Sequence, residues 1–108
     1  MEKKIEKSDL ILKVNVISSM LVGYGDVYMC DVKATEKGVM EDQQVRIVVL
    51  PQDKGRFDLL SSEKQGVLEI GFVKKQVDEP YAIMPINGFV DSDKTSWEIV
   101  FVKHLGAN

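Results

Sequence analysis

The segment Leu10-Ile11-Leu12-Lys13-Val14-Asn15-Val16-Ile17 alternates with a period of two. Leu10, Leu12, Val14 and Val16 fall on one side, and Lys13 and Asn15 fall on the other. Successive side chains of an extended chain point to opposite faces, so this spacing predicts a strand with one buried and one wet face. Such a strand cannot bury its apolar side alone. It needs others like it, and the chain supplies them.

Tyr28, Cys30, Val32 and Ala34 form the apolar set of a second strand, with Asp31, Lys33 and Thr35 opposite. Gly23-Tyr24-Gly25-Asp26 between the two is a turn or bulge signal. The polar run Glu36 to Gln44 reads as a loop. The β-branched stretch Val45 to Leu50 is a third strand that Pro51 ends, because proline donates no ladder hydrogen bond. Lys54 to Gln65, with Phe57, Leu59 and Leu60 and the stop signal Gly66, is the one helix expected. A fourth strand spans Val67 to Lys75. Asp78-Glu79-Pro80 marks a turn, and a fifth strand runs from Tyr81 to Val90, interrupted at Pro85 and Asn87-Gly88. Asp91 to Ser96 reads as an exposed hairpin loop, and Trp97 to His104 as the last strand. Residues 1–8 and 105–108 are expected to fray.

No βα alternation is present, which argues against a parallel α/β fold. The expectation is one all-β domain over residues 1–108, with one short helix, folded as a small closed or partly open antiparallel barrel. A chain of 108 residues buries roughly two-thirds of its unfolded surface, enough for one core. The single cysteine, Cys30, forbids an intramolecular disulfide and suits a reducing compartment. The basic start of the chain is followed by no apolar region of signal-peptide length, and no stretch nears the ~20 residues that span a membrane as a helix. A cytoplasmic protein is the expectation.

Catalytic chemistry has little to draw on. With one cysteine and one histidine, His104, the chain lacks the ligands of a structural zinc site. A Ser or Cys nucleophile would need a base, and His104 lies within the last five residues. Gly23-Tyr24-Gly25 precedes a strand rather than a helix N-terminus, unlike a phosphate loop. Asp91-Ser92-Asp93 lacks the glycine and distal glutamate of a calcium loop. The carboxylate pairs Glu41-Asp42 and Asp78-Glu79 sit in loops with nothing to hold them across a cleft. We expect neither enzymatic activity nor a metal or other cofactor.

Three strands, a short helix and further strands resemble the OB-fold, a Greek-key barrel. The region Val45–Leu50, the expected helix, Gly66 and Val67–Gly71 is similar in pattern to the third strand, helix and fourth strand of OB-fold proteins that bind single-stranded nucleic acid. The resemblance lies in element order over about two-thirds of the chain and in no diagnostic motif. It implies a single-strand-binding surface on the outside of the first strands. With the apolar sets facing in, Lys13, Lys33 and Arg46 share that surface. Tyr24 is the nearest stacking aromatic, while Lys74 and Trp97 are further candidate contacts and Phe57 and Tyr81 could lie at its edges.

Two features pull the other way. The formal net charge is −3, whereas phosphate binders usually carry a basic excess. Val27, Met29, Val48 and Leu50 also project outward, which suits a protein interface. A non-enzymatic OB-like binding module for single-stranded DNA or RNA is therefore the leading expectation, with a small acidic protein–protein interaction module as the alternative. Interruption of the basic surface by Asp31 or Glu69 would favour the second. A ligand in the barrel mouth, lined by Tyr81, Met84 or Trp97, ranks third. A long apolar hairpin formed by Tyr81–Val90 and Trp97–Val102 is the edge through which copies of the chain are expected to associate.

Overall fold

A computed structural model describes residues 6–22, 25–57, 59, 66–75 and 87–107, the side chains of residues 21, 22, 106 and 107 excepted. Six strands form it: β1 (Leu10–Val22), β2 (Gly25–Lys37), β3 (Gln44–Val49), β4 (Gly66–Lys75), β5 (Gly88–Val90) and β6 (Ser96–Ala107). They close into a barrel in the order β1-β2-β3-β5-β6-β4, and every neighbouring pair is antiparallel. The expected all-β antiparallel barrel is thus the fold.

The chain makes β1, β2 and β3 in succession and then returns to lay β4 against β1. The spatial order β4-β1-β2-β3 is a Greek key. Together with closure, this is consistent with an OB-like barrel. The period-two sets do what their spacing predicts except at Ala34, which follows a bulge at Lys33 and is exposed opposite Lys13. Leu10, Leu12, Val14, Tyr28, Cys30, Val45, Ile47 and Val49 are buried in the core with Leu68, Ile70, Phe72, Phe89 and Ile99. Phe72 and Phe89 meet edge-to-face, with ring centroids 4.9 Å apart.

Several expectations change. A 3-10 turn at Pro51–Asp53 precedes the segment Lys54–Gln65 expected as a helix. Residues 54–57 continue it as a turn, and residues 58 and 60–65 lie outside those described. Phe57 and Leu59 are buried nonetheless, so their apolar spacing reports core contact rather than a helical face. Ser8 is buried, and Leu105–Ala107 end β6, with Gly106 and Ala107 pairing with Val67 and Gly66. Of the expected fifth strand only Gly88–Val90 falls within the described residues as β5, and Tyr81 and Met84 lie outside them. β6 is paired with β4 along its length and with β5 over Ser96–Glu98, so of the expected Trp97–Val102 edge only the part beyond Ile99 is unpaired among the described residues. Among the described residues no helix is long and apolar enough to cross a membrane.

Of the five register shifts in the β1–β2 and β4–β6 ladders, two set the outer positions of Met20 and Phe101. In β1, Val16 pairs with Cys30 and Ser18 with Met29, which leaves Ile17 as an extra residue. The phase of the strand shifts there, so Met20 shares the outer face with Val27. In β6, Gly71 pairs with Phe101 and Phe72 with Ile99, and Val100 is the extra residue. Phe101 consequently points outside the barrel, where it is buried over Gly71.

Candidate functional site: the outer face of β1, β2 and β3

Pairing across β1, β2 and β3 orders the outer surface into rows. Val48, Val27 and Met20 form one, Arg46, Met29 and Ser18 the next, and Gln44, Asp31 and Asn15 the third. Met20 is 66% exposed and Ile17 at the bulge 53%. Val27, Met29 and Val48 are half-buried. The expected outward projection of Val27, Met29 and Val48 is what the strands produce. Leu50 lies past the end of β3, half-buried, with its N–H donated to Asn87 Oδ1 at 2.7 Å.

The basic residues are distributed unevenly. Lys13 Nζ lies 2.9 Å from Glu36 Oε1, and Lys13 also stands opposite Glu69 in the β1–β4 ladder. The Glu36 hydrogen bond and charge, with a smaller contribution from Glu69, hold the exposed ammonium above its ordinary value. Lys33 is exposed in the β2 bulge, between the pairs Lys13–Ala34 and Val14–Val32. Arg46 is exposed on β3 opposite Met29. Asp31 sits between them and accepts a 2.9 Å hydrogen bond from Gln44 Nε2. The basic surface is therefore broken by Glu36, Glu69 and Asp31.

The remaining candidates lie elsewhere. Lys74 is exposed near the end of β4 and pairs with Trp97 of β6, away from β2 and β3. Its backbone N–H donates to Asp9 Oδ2. Trp97 packs its ring against the core and donates Nε1–H to Asp91 Oδ2. Tyr24 and Tyr81 lie outside the described residues. Phe57 is buried, with the Arg56 guanidinium 4.8 Å from its ring centroid. Among the described residues no aromatic side chain stands on the outer face of β1, β2 and β3.

One further feature borders this surface. β3 and β5 pair only at Val48 and Gly88 and then diverge, which opens a cleft of about 420 Å3 lined by Asp42, Gln44, Arg46, Val90 and Ser92. Asp42, from the β2–β3 loop, spans it. Its Oδ2 accepts from the Ser92 N–H at 3.0 Å and its Oδ1 from the Ser92 hydroxyl at 2.8 Å. The sequence alone reads Asp42 as solvated charge, and its bond to a residue 50 positions away has no local signal. Among the described residues no three His, Cys, Asp or Glu side chains lie together as a metal site would need.

No protein-family model, curated protein or solved structure was found to match the chain.

Proposed function

We propose that this chain is a non-enzymatic OB-like binding module that docks a protein partner on the outer face of β1, β2 and β3. The observation that carries the reading is the apolar row Val48–Val27–Met20, flanked by Met29 and Ile17, on a face whose cations alternate with carboxylates. An apolar patch on an outer sheet face suits a partner that contributes aliphatic side chains. Methionine adapts to irregular partner surfaces, and Arg46 beside Met29 favours a partner carboxylate at the rim. Lys13, matched by Glu36, adds little net charge to attract phosphates.

Single-stranded nucleic acid is the second reading. Lys33 and Arg46 favour it, since neither has an ion-pair partner among the described residues.

A pair of measurements decides between them. Fluorescence anisotropy of a labelled single-stranded oligonucleotide is followed at about 50 and 200 mM salt, where a phosphate-driven complex weakens steeply. A photo-crosslinking residue is placed at Met29, with Lys103 on the far side as control. The protein reading expects flat anisotropy at both salts and crosslinks to protein from position 29 only. Binding at low salt that is lost at high salt, without crosslinking to protein, overturns it in favour of nucleic acid.

A further inference from the structure

Closure of the barrel leaves three stretches of five or more residues with one unpaired edge among the described residues. β2 beyond Val32 has one, over residues 33–37, and it carries Lys33, Glu36 and Lys37. β6 beyond Ile99 has another, over residues 100–107, and it carries Lys103 and His104. The third belongs to β1. Its pairing with β4 stops at Val14, while its pairing with β2 continues to Val22. From Asn15 to Val22 this edge holds no charged residue and no proline. Natural sheets protect open edges with charge, proline or a cover, and an apolar unprotected edge is a pairing template. The exposure of Ile17, Ser18, Ser19 and Met20 shows that nothing among the described residues covers it.

We infer that the β1 edge over Ser18–Val22 is a self-association site, where a second copy pairs antiparallel about a two-fold axis to join two three-stranded sheets into one of six strands. Charge selects both the edge and the occupant. Each copy carries a formal net charge of −3, so copies repel except where their contact is uncharged. Pairing about a two-fold sets a segment against itself, so the other two edges carry charged side chains into the contact and this one carries none. The Ile17 bulge limits the regular run to the residues beyond it. The midpoint of that run is Met20, the most exposed of its described apolar side chains at 66%. Pairing centred there sets Met20 against Met20 of the second copy and continues the apolar outer face across the axis. Self-association of this kind uses the backbone edge of β1 and shares Met20 and Ile17 with the protein-partner reading, so the two are told apart at Met29, which lies on the face and away from the edge.

Analytical ultracentrifugation of the full chain over a concentration series tests it, with hydrogen exchange followed at the same concentrations. The expected result is a monomer–dimer equilibrium in which the amides of residues 18–22 gain protection as the dimer forms. Ile17→Lys combined with Met20→Lys, both at exposed positions, weakens the dimer at least tenfold. Met20→Cys gives a covalent dimer on mild oxidation, since opposed Cβ atoms in an antiparallel pair lie within disulfide reach. The same substitution at Lys103 does not. Met29→Glu lies on the face, away from the edge, and leaves the dimer intact, which separates self-association from the protein-partner reading. A wild-type chain still monomeric at about 1 mM overturns the inference. So does a dimer indifferent to the double substitution, or one whose 18–22 amides exchange alike at all concentrations.

Discussion

The Trp97 indole donates Nε1–H to Asp91 Oδ2 at 2.9 Å, across the turn between β5 and β6. The other oxygen of Asp91 accepts the N–H groups of Asp93 and Thr95, both at 2.9 Å. One carboxylate therefore shapes the turn and fixes the ring that leaves it. Asp91→Ala removes all three bonds and leaves a half-buried indole N–H without its acceptor, at a cost of about 1–3 kcal/mol. Trp97 is the only tryptophan, so its emission reports directly. The expected outcome is a lowered urea midpoint with a red shift in native emission, and Asp91→Asn falls between.

Cys30 is fully buried, and burial, with a smaller push from Asp31, raises its thiol to about 12 from an ordinary value of 9.0. The folded chain therefore keeps this proton where the unfolded chain loses it. Stability falls as pH rises from about 9 to 12, by up to about 1.4 kcal/mol per pH unit. Below 9 both states hold the proton and the effect vanishes. Urea midpoints of wild type and Cys30→Ala, compared at pH 8 and pH 10, are expected to converge towards alkaline pH. A thiol reagent at pH 8 labels the native chain far more slowly than the denatured one.

A Cβ on Gly71 would overlap the Phe101 ring and approach Ser8 Oγ to 2.5 Å. Gly71→Ala is expected to destabilise by about 1–3 kcal/mol through overpacking. Gly71→Ala with Phe101→Leu recovers part of the loss, because the smaller side chain vacates the space. Thermal melts of the two single variants and the double complete the cycle, and strict additivity would refute the direct contact.

Asn87 ties the two ends of the barrel seam. Its Oδ1 accepts from the Leu50 N–H and its Nδ2 donates to Asp53 Oδ2, each at 2.7 Å, while its carbonyl accepts from the Ile99 N–H at 2.6 Å. Asn87→Ala leaves the Leu50 amide without its partner and costs about 1–3 kcal/mol. Amide exchange at Leu50 quickens with it. Asn87→Asp keeps the acceptor but sets a carboxylate against Asp53, so its deficit shrinks as pH falls through the carboxylate range.

The strands were legible where alternation ran unbroken, as in Leu10–Val16 and Val45–Val49. It failed at Ile17 and Val100, where a bulge shifts the phase and puts Met20 and Phe101 on the outer side. A bulge depends on the partner strand, and no local pattern encodes it. Parity gave the outer position of Arg46, whereas Lys33 is the extra residue of a β2 bulge that no local pattern encodes. The neutralisation of Lys13 was not legible either, because Glu36 reaches it only through the β1–β2 register. Asn87-Gly88 carries a turn composition yet clamps the seam, since side-chain bonds spanning 37 residues leave no trace in local composition. Phe57 and Leu59 suggested a helix because apolar spacing records burial, and burial does not specify the backbone.

A ring of strands has no terminal member, and here that property hangs on one rung. Among the described residues Val48 and Gly88 are the single residue pair between β3 and β5. Gly88 holds that place because a side chain there would strike the Trp97 carbonyl. Breaking one rung turns the cycle into an open sheet and creates two new ends at once. One of them is Gln44-Val45-Arg46-Ile47-Val48-Val49, a β-branched segment with Arg46 as its sole charge. Protection of this chain against aggregation therefore rests as much on Gly88 and the neighbouring Asn87 clamp as on the stability of its core.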